Sequence, residues 1–202
     1  GAVFVPMHWS GQFSSAGRIN VLVCEDRDPV SGQPALKMSK VTLAPVRPAC
    51  FGFAVSARKP RVTGLDYWAL ARAGDGWRLE FALDEAGGAL ADRVEAMLAG
   101  GDGSAEATRL SYHDQGGERQ RFAAFTDARL AWVAYLGRRP VEVSRGWLSD
   151  QLSHSHDSNP ARLRLLAGRP VGQVGDNGAL VCSCFGVGSS QILAAVRAGD
   201  CR

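Results

Sequence analysis

The sequence predicts a mixed α+β fold built around an antiparallel sheet. Successive segments in the middle of the chain alternate apolar and polar residues, as half-buried strands do. Other segments carry an amphipathic helical pattern that stops at glycine, which is typical of the carboxyl end of a helix. The 202 residues include 24 glycines and 9 prolines, so turns separate short elements. The chain is long enough to bury a core in one or two domains.

The strand signals are densest between residues 77 and 137. The segment WRLEFAL (77–83) predicts one strand by its alternation. Three further strands are predicted at TRLSYHD (108–114), RQRFAAFTD (119–127) and RLAWVAYLG (129–137). Because a glycine turn and the short Asp127–Ala128 turn separate the last three, an antiparallel meander is expected.

Four segments predict helices. The pattern in EAGGALADRVEAMLAG (85–100) ends at two glycines, and SRGWLSDQL (144–152) has Ser144 as its cap. In NPARLRLLAG (159–168), Asn159 is the expected cap, Pro160 takes the first helical position and Gly168 ends the helix. Near the end of the chain, Ser189 or Ser190 is the expected cap of QILAAVRAG (191–199).

Three regions are expected, at residues 1–48, 49–174 and 175–202. The first contains AVFVP (2–6), RINVLVC (18–24) and KVTLAPV (40–46), which have the composition of strands. A Gly-rich linker, GRPVGQVGDNG (168–178), joins the second region to the cysteine-bearing part of the third. Four tryptophans of the middle region are expected in its core: Trp68, Trp77, Trp132 and Trp147.

Charge and hydropathy exclude several classes of function. The net charge is only +3 and the charges are interspersed, which argues against a nucleic-acid surface. No run reaches the roughly 18 apolar residues of a membrane helix, and GAVFVPMHW has no basic segment and no long apolar core of a signal peptide. Both ends read as interior points of a longer chain. No nucleophile elbow, phosphate-binding glycine loop or paired-carboxylate spacing is present.

The cysteines point to a reducing compartment and one ligand pair. An odd number, five, with irregular spacing is a poor disulfide framework. Cys182 and Cys184 are separated by one residue, which is too short for an unstrained mutual bridge. Two thiolates on a Gly-rich loop before a helix suit one iron of a binuclear cluster or half of a zinc site. Two buried structural thiols remain an equal alternative for the bare motif.

The surrounding residues extend this motif. VCSCFGVGSSQILAAVRAG resembles the start of the [2Fe-2S] domain related to bacterioferritin-associated ferredoxin. The resemblance implies that Cys182 and Cys184 are two of four cluster ligands. The other two belong to a C-x-x-C about thirty residues later in that family, and Cys201 is expected not to be a ligand.

An ordered motif occupies the first 45 residues. It consists of His8-Trp9, Asn20 and then DPVSGQPALK (28–37). This order resembles the carboxy-terminal part of the pterin-dinucleotide-binding domain of molybdopterin oxidoreductases. The resemblance implies that residues 1–48 form part of a double-psi β-barrel, that 49–174 is an antiparallel α+β region, and that 175–202 starts a small helical [2Fe-2S] domain.

The resemblance also implies cofactor contacts. Asn20 offers both a carbonyl and an amide to a guanine-like edge, and Lys37 gives a cation for a phosphate or pterin oxygen. His8 and Trp9 are suited to stacking on or hydrogen bonding to a pterin ring, and Gln12 is placed to face the pocket. Taken singly, each is also an ordinary turn, core or surface residue, so the ordered pattern carries the interpretation.

A pterin-binding segment followed by a [2Fe-2S] module is similar to the large subunit of bacterial assimilatory nitrate reductases. This implies reduction of nitrate to nitrite in the cytoplasm, with a molybdenum bis(molybdopterin guanine dinucleotide), a [2Fe-2S] cluster and a [4Fe-4S] cluster held by a preceding part of the chain. It also implies a flavoprotein, ferredoxin or flavodoxin as electron donor, and no nucleic-acid or membrane partner. The molybdenum ligand and the catalytic residues are not expected in this chain.

Two alternatives stay open. One is another molybdopterin oxidoreductase, such as a formate dehydrogenase, and the other is a non-catalytic iron–sulfur or zinc-binding adaptor. A third candidate feature, His154-Ser155-His156-Asp157, has the spacing of a small metal site, but its Ser-rich setting between two helices favours a solvated loop. His113 is assigned no role.

Overall fold

The computed structural model describes residues 2–5, 10–34, 39–84, 90–99, 107–114, 116, 118–169, 180–182 and 187–199. Their largest unit is a six-stranded antiparallel sheet in the order β2-β3-β1-β6-β5-β4. The strands are β1 (Cys50–Ser56), β2 (Tyr67–Ala73), β3 (Gly76–Leu83), β4 (Thr108–His113), β5 (Arg119–Thr126) and β6 (Arg129–Gly137). The predicted meander is therefore confirmed as β4-β5-β6, and the strand predicted at 77–83 is β3.

Helices cover both faces of this sheet. Helix α1 (Leu90–Leu98) buries Leu90, Val94 and Met97, at the i, i+4 and i+7 spacing of a single helical face, on one side. Helices α2 (Arg145–Asp150) and α3 (Asn159–Ala167) bury leucines on the other side. The described fold of the middle region is thus mixed α+β in three layers.

The sheet supplies alternate residues to two cores. In β1, Phe53 and Val55 contact the α2–α3 core and Ala54 contacts the α1 core, as the period of two along a strand requires. Trp132 is buried, and the other three tryptophans predicted for the core are partly buried against one of the two clusters.

Helix ends agree with the sequence at three points and differ at two. Ser144 caps α2, Gly168 ends α3 with φ +66°, and Gly199 ends α4 (Ser189–Ala198) with φ +77°. The cap of α3 is Ser158 rather than Asn159, because the Ser158 hydroxyl accepts from the Ala161 amide at 3.4 Å. Helix α4 starts after Gly188, whose N–H is satisfied by the side chain of Gln191 at 2.9 Å, so neither Ser189 nor Ser190 is its cap.

The three strand predictions in the first region were wrong for the described residues. Residues 2–5 and 40–46 form no strand, and RINVLVC contains the 3-10 helix Ile19–Leu22. Strand composition produces a strand only where a partner edge is available. Large apolar side chains of this region are exposed instead: Val3, Phe4, Val5, Phe13, Val21, Leu22, Val30, Val41, Leu43 and Val46.

A short contact joins the first region to the outer strand of the sheet. Ser14 is buried and forms a β-bridge with Ala69. The Ser15 N–H donates to the Trp68 carbonyl at 3.0 Å, and the Leu70 N–H donates to the Phe13 carbonyl at 2.7 Å. This contact pairs part of the exposed edge of β2, which would otherwise present unpaired backbone groups.

The last region contains a separate small unit. Strand β7 (Leu180–Cys182) pairs with β8 (Val187–Gly188), and α4 follows directly. The apolar residues that lead into the cysteine pair thus form a strand. Among the described residues, no helix has the length and apolar character needed to cross a bilayer.

Candidate cofactor-binding segment and cysteine pair

The predicted site residues fall into two groups. His8, Trp9, Lys37 and Cys184 lie outside the described residues. Gln12 and Asn20 are described with their side chains, whereas only the backbone of Cys182 is described, at the end of β7. The described geometry of the site therefore lies in the segments that hold Gln12 and Asn20.

Gln12 lies in a closed loop at the edge of the sheet. The Phe13 N–H donates to the Ser10 carbonyl at 3.0 Å, and the Gln12 N–H lies 3.4 Å from the Ser10 hydroxyl. A Cβ on Gly17 would lie 2.8 Å from the Ser10 carbonyl oxygen, so only glycine allows the chain to return this closely. The exposed Gln12 side chain is carried by a loop that the β2 edge holds in place.

Asn20 lies in the 3-10 helix that follows this loop. Its carbonyl accepts from the Val23 N–H at 3.3 Å, and its side chain is exposed. The structure places Asn20 and Gln12 on one continuous segment, but no hydrogen bond between them is found in the described residues. Both side chains are accessible to a ligand.

The DPVSGQP part of the motif folds into a loop organised by Asp28. The Asp28 carboxylate accepts from the Ser31 N–H at 2.7 Å and from the Val30 N–H at 3.0 Å. The Asp28 backbone is bonded to Gln33 and Gly32, at 2.8 and 2.9 Å, and Gly32 has φ +70°. Hydrogen bonds from Ser31 and Val30 lower the pKa of the Asp28 carboxyl. The carboxylate thus shapes a loop that ends shortly before Lys37.

Two other thiols are described. Cys50 is buried at the start of β1, its thiol lies 3.6 Å from the Phe51 carbonyl, and burial raises its pKa. Cys24 is half-buried, with its N–H 3.4 Å from the Ser39 hydroxyl. Within the part of the chain that the structure describes, no three His, Cys, Asp or Glu residues cluster to hold a metal ion.

The two histidines of the segment His154-Ser155-His156-Asp157 have different environments. His156 is buried, its Nε2 lies 3.0 Å from the Gln151 carbonyl, and its ring packs edge-on against Phe125. The exposed His154 turns its Nδ1 to the Asp150 carbonyl at 2.6 Å. The solvated-loop interpretation was wrong for His156, because the apolar core beneath the loop takes up its ring.

A basic groove was not singled out from the sequence. It lies between the β5–β6 end of the sheet and the end of α3, and its lining includes Arg119, Arg121, Arg138, Arg139 and Arg169. These arginines are spread over fifty residues, so each looks like an ordinary surface charge. The available signals were the adjacent Arg138-Arg139 pair directly after a predicted strand and the alternation in RQRF.

Comparison with known proteins gives one relative. A protein described as a nitrate reductase, from Klebsiella oxytoca, is 31% identical over 215 aligned positions, which span all of this chain and 22% of that protein. No family model and no solved structure matches the chain. The chain is therefore related in sequence to a nitrate reductase, of which it spans about a fifth of the length.

Proposed function

We propose that this chain is part of a cytoplasmic assimilatory molybdenum enzyme that reduces nitrate to nitrite. The observation that carries the proposal is the similarity to a nitrate reductase along the whole chain. The relative's name also favours nitrate over formate as the substrate. The ordered motif in residues 8–37 supports the proposal independently, because an adaptor that binds only a metal gives no reason for it.

In this proposal the first region contacts the pterin dinucleotide. Gln12 and Asn20 are exposed side chains with both donor and acceptor groups, on a segment that Ser14 and Ser15 anchor to β2. The loop organised by Asp28 comes shortly before Lys37 in the sequence, and Lys37 supplies the proposed cation. His8 and Trp9 complete the proposed contacts, by stacking on or hydrogen bonding to the pterin ring.

The cysteine pair fits half of a [2Fe-2S] cluster. Cys182 ends a strand and Cys184 follows two residues later, before α4 begins at Ser189. Two thiolates ligate one iron, and a binuclear cluster takes four. The pair is therefore proposed as a partial ligand set, and the family resemblance implies that a C-x-x-C motif about thirty residues later supplies the other two thiolates.

The metal centres supply the redox chemistry when bound, and the protein residues bind and orient them. The proposed partners of the whole enzyme are nitrate and an electron-donor flavoprotein, ferredoxin or flavodoxin. A [4Fe-4S] cluster and the molybdenum ligand are assigned to other parts of the enzyme.

The pterin assignment is tested on the intact enzyme with the substitutions Asn20→Ala and Lys37→Ala. Molybdenum content and released guanine nucleotide measure the bound cofactor, and nitrate-dependent oxidation of reduced viologen measures the activity. Each substitution is expected to lower the retained cofactor and the activity together. The matched controls are Asn159→Ala, at an exposed helix start, and Lys40→Ala, both expected to retain the cofactor. An intact enzyme without molybdenum would contradict the pterin assignment. An enzyme that oxidises formate, but does not oxidise reduced viologen when nitrate is supplied, would contradict the assignment of nitrate as the substrate.

The cluster assignment has its own test. Cys182→Ser and Cys184→Ser are each expected to abolish the binuclear electron paramagnetic resonance signal of the reduced enzyme and leave molybdenum content unchanged. Cys201→Ser is the control and is expected to retain the signal. Stoichiometric zinc in place of iron would favour the adaptor interpretation instead.

A further inference from the structure

We propose that the groove lined by Arg119, Arg121, Arg138, Arg139 and Arg169 is a docking surface for an acidic segment of a partner protein. This arginine groove has a volume of about 660 Å³ and also includes Glu118 and Glu142 in its lining. The inference does not depend on the pterin or cluster assignments.

Charge is concentrated in the arginine groove. Its five arginines and two glutamates give it a net charge of +3, which equals the net charge of the entire chain, so the other residues balance. Arg119, Arg138, Arg139 and Arg169 are exposed. Their guanidinium groups form no ion pair with described residues, although both glutamates lie in the same lining. The five arginines outnumber the two glutamates, and this excess of like charge is repulsive unless an anionic partner binds.

The walls of the groove are fixed by two other sets of contacts. Arg121 donates to the Ala167 carbonyl at 2.6 Å and to the Leu166 carbonyl at 3.3 Å, which ties β5 to the end of α3. Its guanidinium also lies over the rings of Tyr112 and Tyr135, at 5.6 and 5.8 Å.

Arg145 fixes the part of the lining at residues 141–143. It donates to the carbonyls of Val141 and Val143 and pairs with the Glu80 carboxylate at 3.2 Å. Its guanidinium stacks on Phe53 at 4.4 Å. The loop at 138–143 is therefore held in place before any partner arrives, which reduces the entropy lost on binding.

The surroundings favour an extended carboxylate-bearing partner over a compact phosphate. The exposed arginines come from three separate segments rather than one cluster of donors. Guanidinium forks match carboxylates in a bidentate way, so several can engage successive acidic side chains.

The test uses the intact protein and a fluorescein-labelled peptide of ten glutamates as the probe, with binding followed by fluorescence anisotropy at low ionic strength. The charge reversal Arg138→Glu/Arg139→Glu is expected to weaken binding by about tenfold or more. Added salt is expected to weaken binding to the unmodified protein. The matched control is Arg61→Glu/Arg164→Glu, which reverses two exposed charges outside the groove and is expected to leave the affinity within about twofold.

Two results would overturn the proposal. One is equal binding of the peptide to the unmodified protein and to both double variants. The other is displacement of the peptide by pyrophosphate at far lower concentrations than by unlabelled glutamate peptide, which would make the groove a phosphate site. If the charge-reversed protein does not fold, the neutralising pair Arg119→Gln/Arg169→Gln replaces it, and a smaller loss of affinity in the same direction is expected.

Discussion

At the scale of single residues, the motif that resembles the pterin enzymes separates into residues that shape loops and residues that are free to contact a ligand. The Asp28 carboxylate is occupied by the amides of Val30 and Ser31, and Gly17 is required by the close return of the chain to Ser10. Gln12 and Asn20 are exposed. The ordered pattern in the sequence predicts a cofactor-binding segment, but composition alone did not distinguish these two roles.

The Asp28 loop gives a prediction about pH. Because hydrogen bonds hold the pKa of the Asp28 carboxyl below its ordinary value of 3.8, its contribution to the loop is present above that value. The contribution is lost as the pH falls through the lowered pKa. The amide chemical shifts of Val30 and Ser31, followed by NMR, are expected to titrate together below pH 3.8.

Two substitutions serve as controls. Asp28→Asn keeps a hydrogen-bond acceptor and should remove the titration while preserving the loop, whereas Asp28→Ala should open the loop. A midpoint at or above the ordinary value would contradict the assigned hydrogen bonds.

At the scale of elements, prediction succeeded where the local signal and the tertiary environment agree. The meander β4-β5-β6 has alternating residues and short turns, including Asp127 at φ +53°, and α1 and α3 end at glycine or near it. The strands β1 and β2 were missed. In β1 nearly every residue is buried, because both faces of this central strand are covered, so the segment CFGFAVS shows no alternation of polar and apolar residues.

The glycine in the middle of β1 gives the second prediction. Gly52 pairs with Phe81 across the β1–β3 ladder, and a Cβ at Gly52 would lie 2.1 Å from the ring of Phe81. Gly52→Ala is therefore expected to destabilise the protein by roughly 1–3 kcal/mol, the usual cost of overpacking a core. Urea unfolding measures the change, and combining Gly52→Ala with Phe81→Leu should restore part of the loss.

Gly146 is the matched control for this substitution. It lies in α2, where a Cβ would meet nothing within 4 Å. Gly146→Ala is expected to be neutral or to stabilise the protein by up to about 1 kcal/mol, because alanine has the higher helix propensity. Equal effects at the two glycines would show that the Phe81 ring does not restrict the space above β1.

At the scale of the whole molecule, the described residues have two different degrees of burial. The sheet and its helices enclose two cores that contain most of the large buried side chains. The described part of the first region contributes a single buried serine at the β2 edge and leaves many apolar side chains exposed. The same asymmetry explains why sequence reasoning assigned strands to the first region: its apolar composition suits burial, but the described residues provide no surface that buries it.

This asymmetry predicts two classes of amide hydrogen exchange. In the isolated 202-residue chain, amides of β1, β3 and β6 are expected to exchange only through global unfolding. Amides at residues 18–23 and 40–46 are expected to exchange many times faster, because their backbone hydrogen bonds are limited to local ones at Ile19, Val21 and Val23 and most of their side chains are exposed. In the intact enzyme carrying its pterin, the proposed function requires the same residues to become protected from exchange, since ligand contacts and additional packing would cover them.

The measurement is mass-spectrometric hydrogen exchange on the isolated chain and on the intact enzyme. Fast exchange at residues 18–23 in the cofactor-loaded enzyme would show that Asn20 does not lie against the cofactor, whereas the sheet should be equally protected in either case.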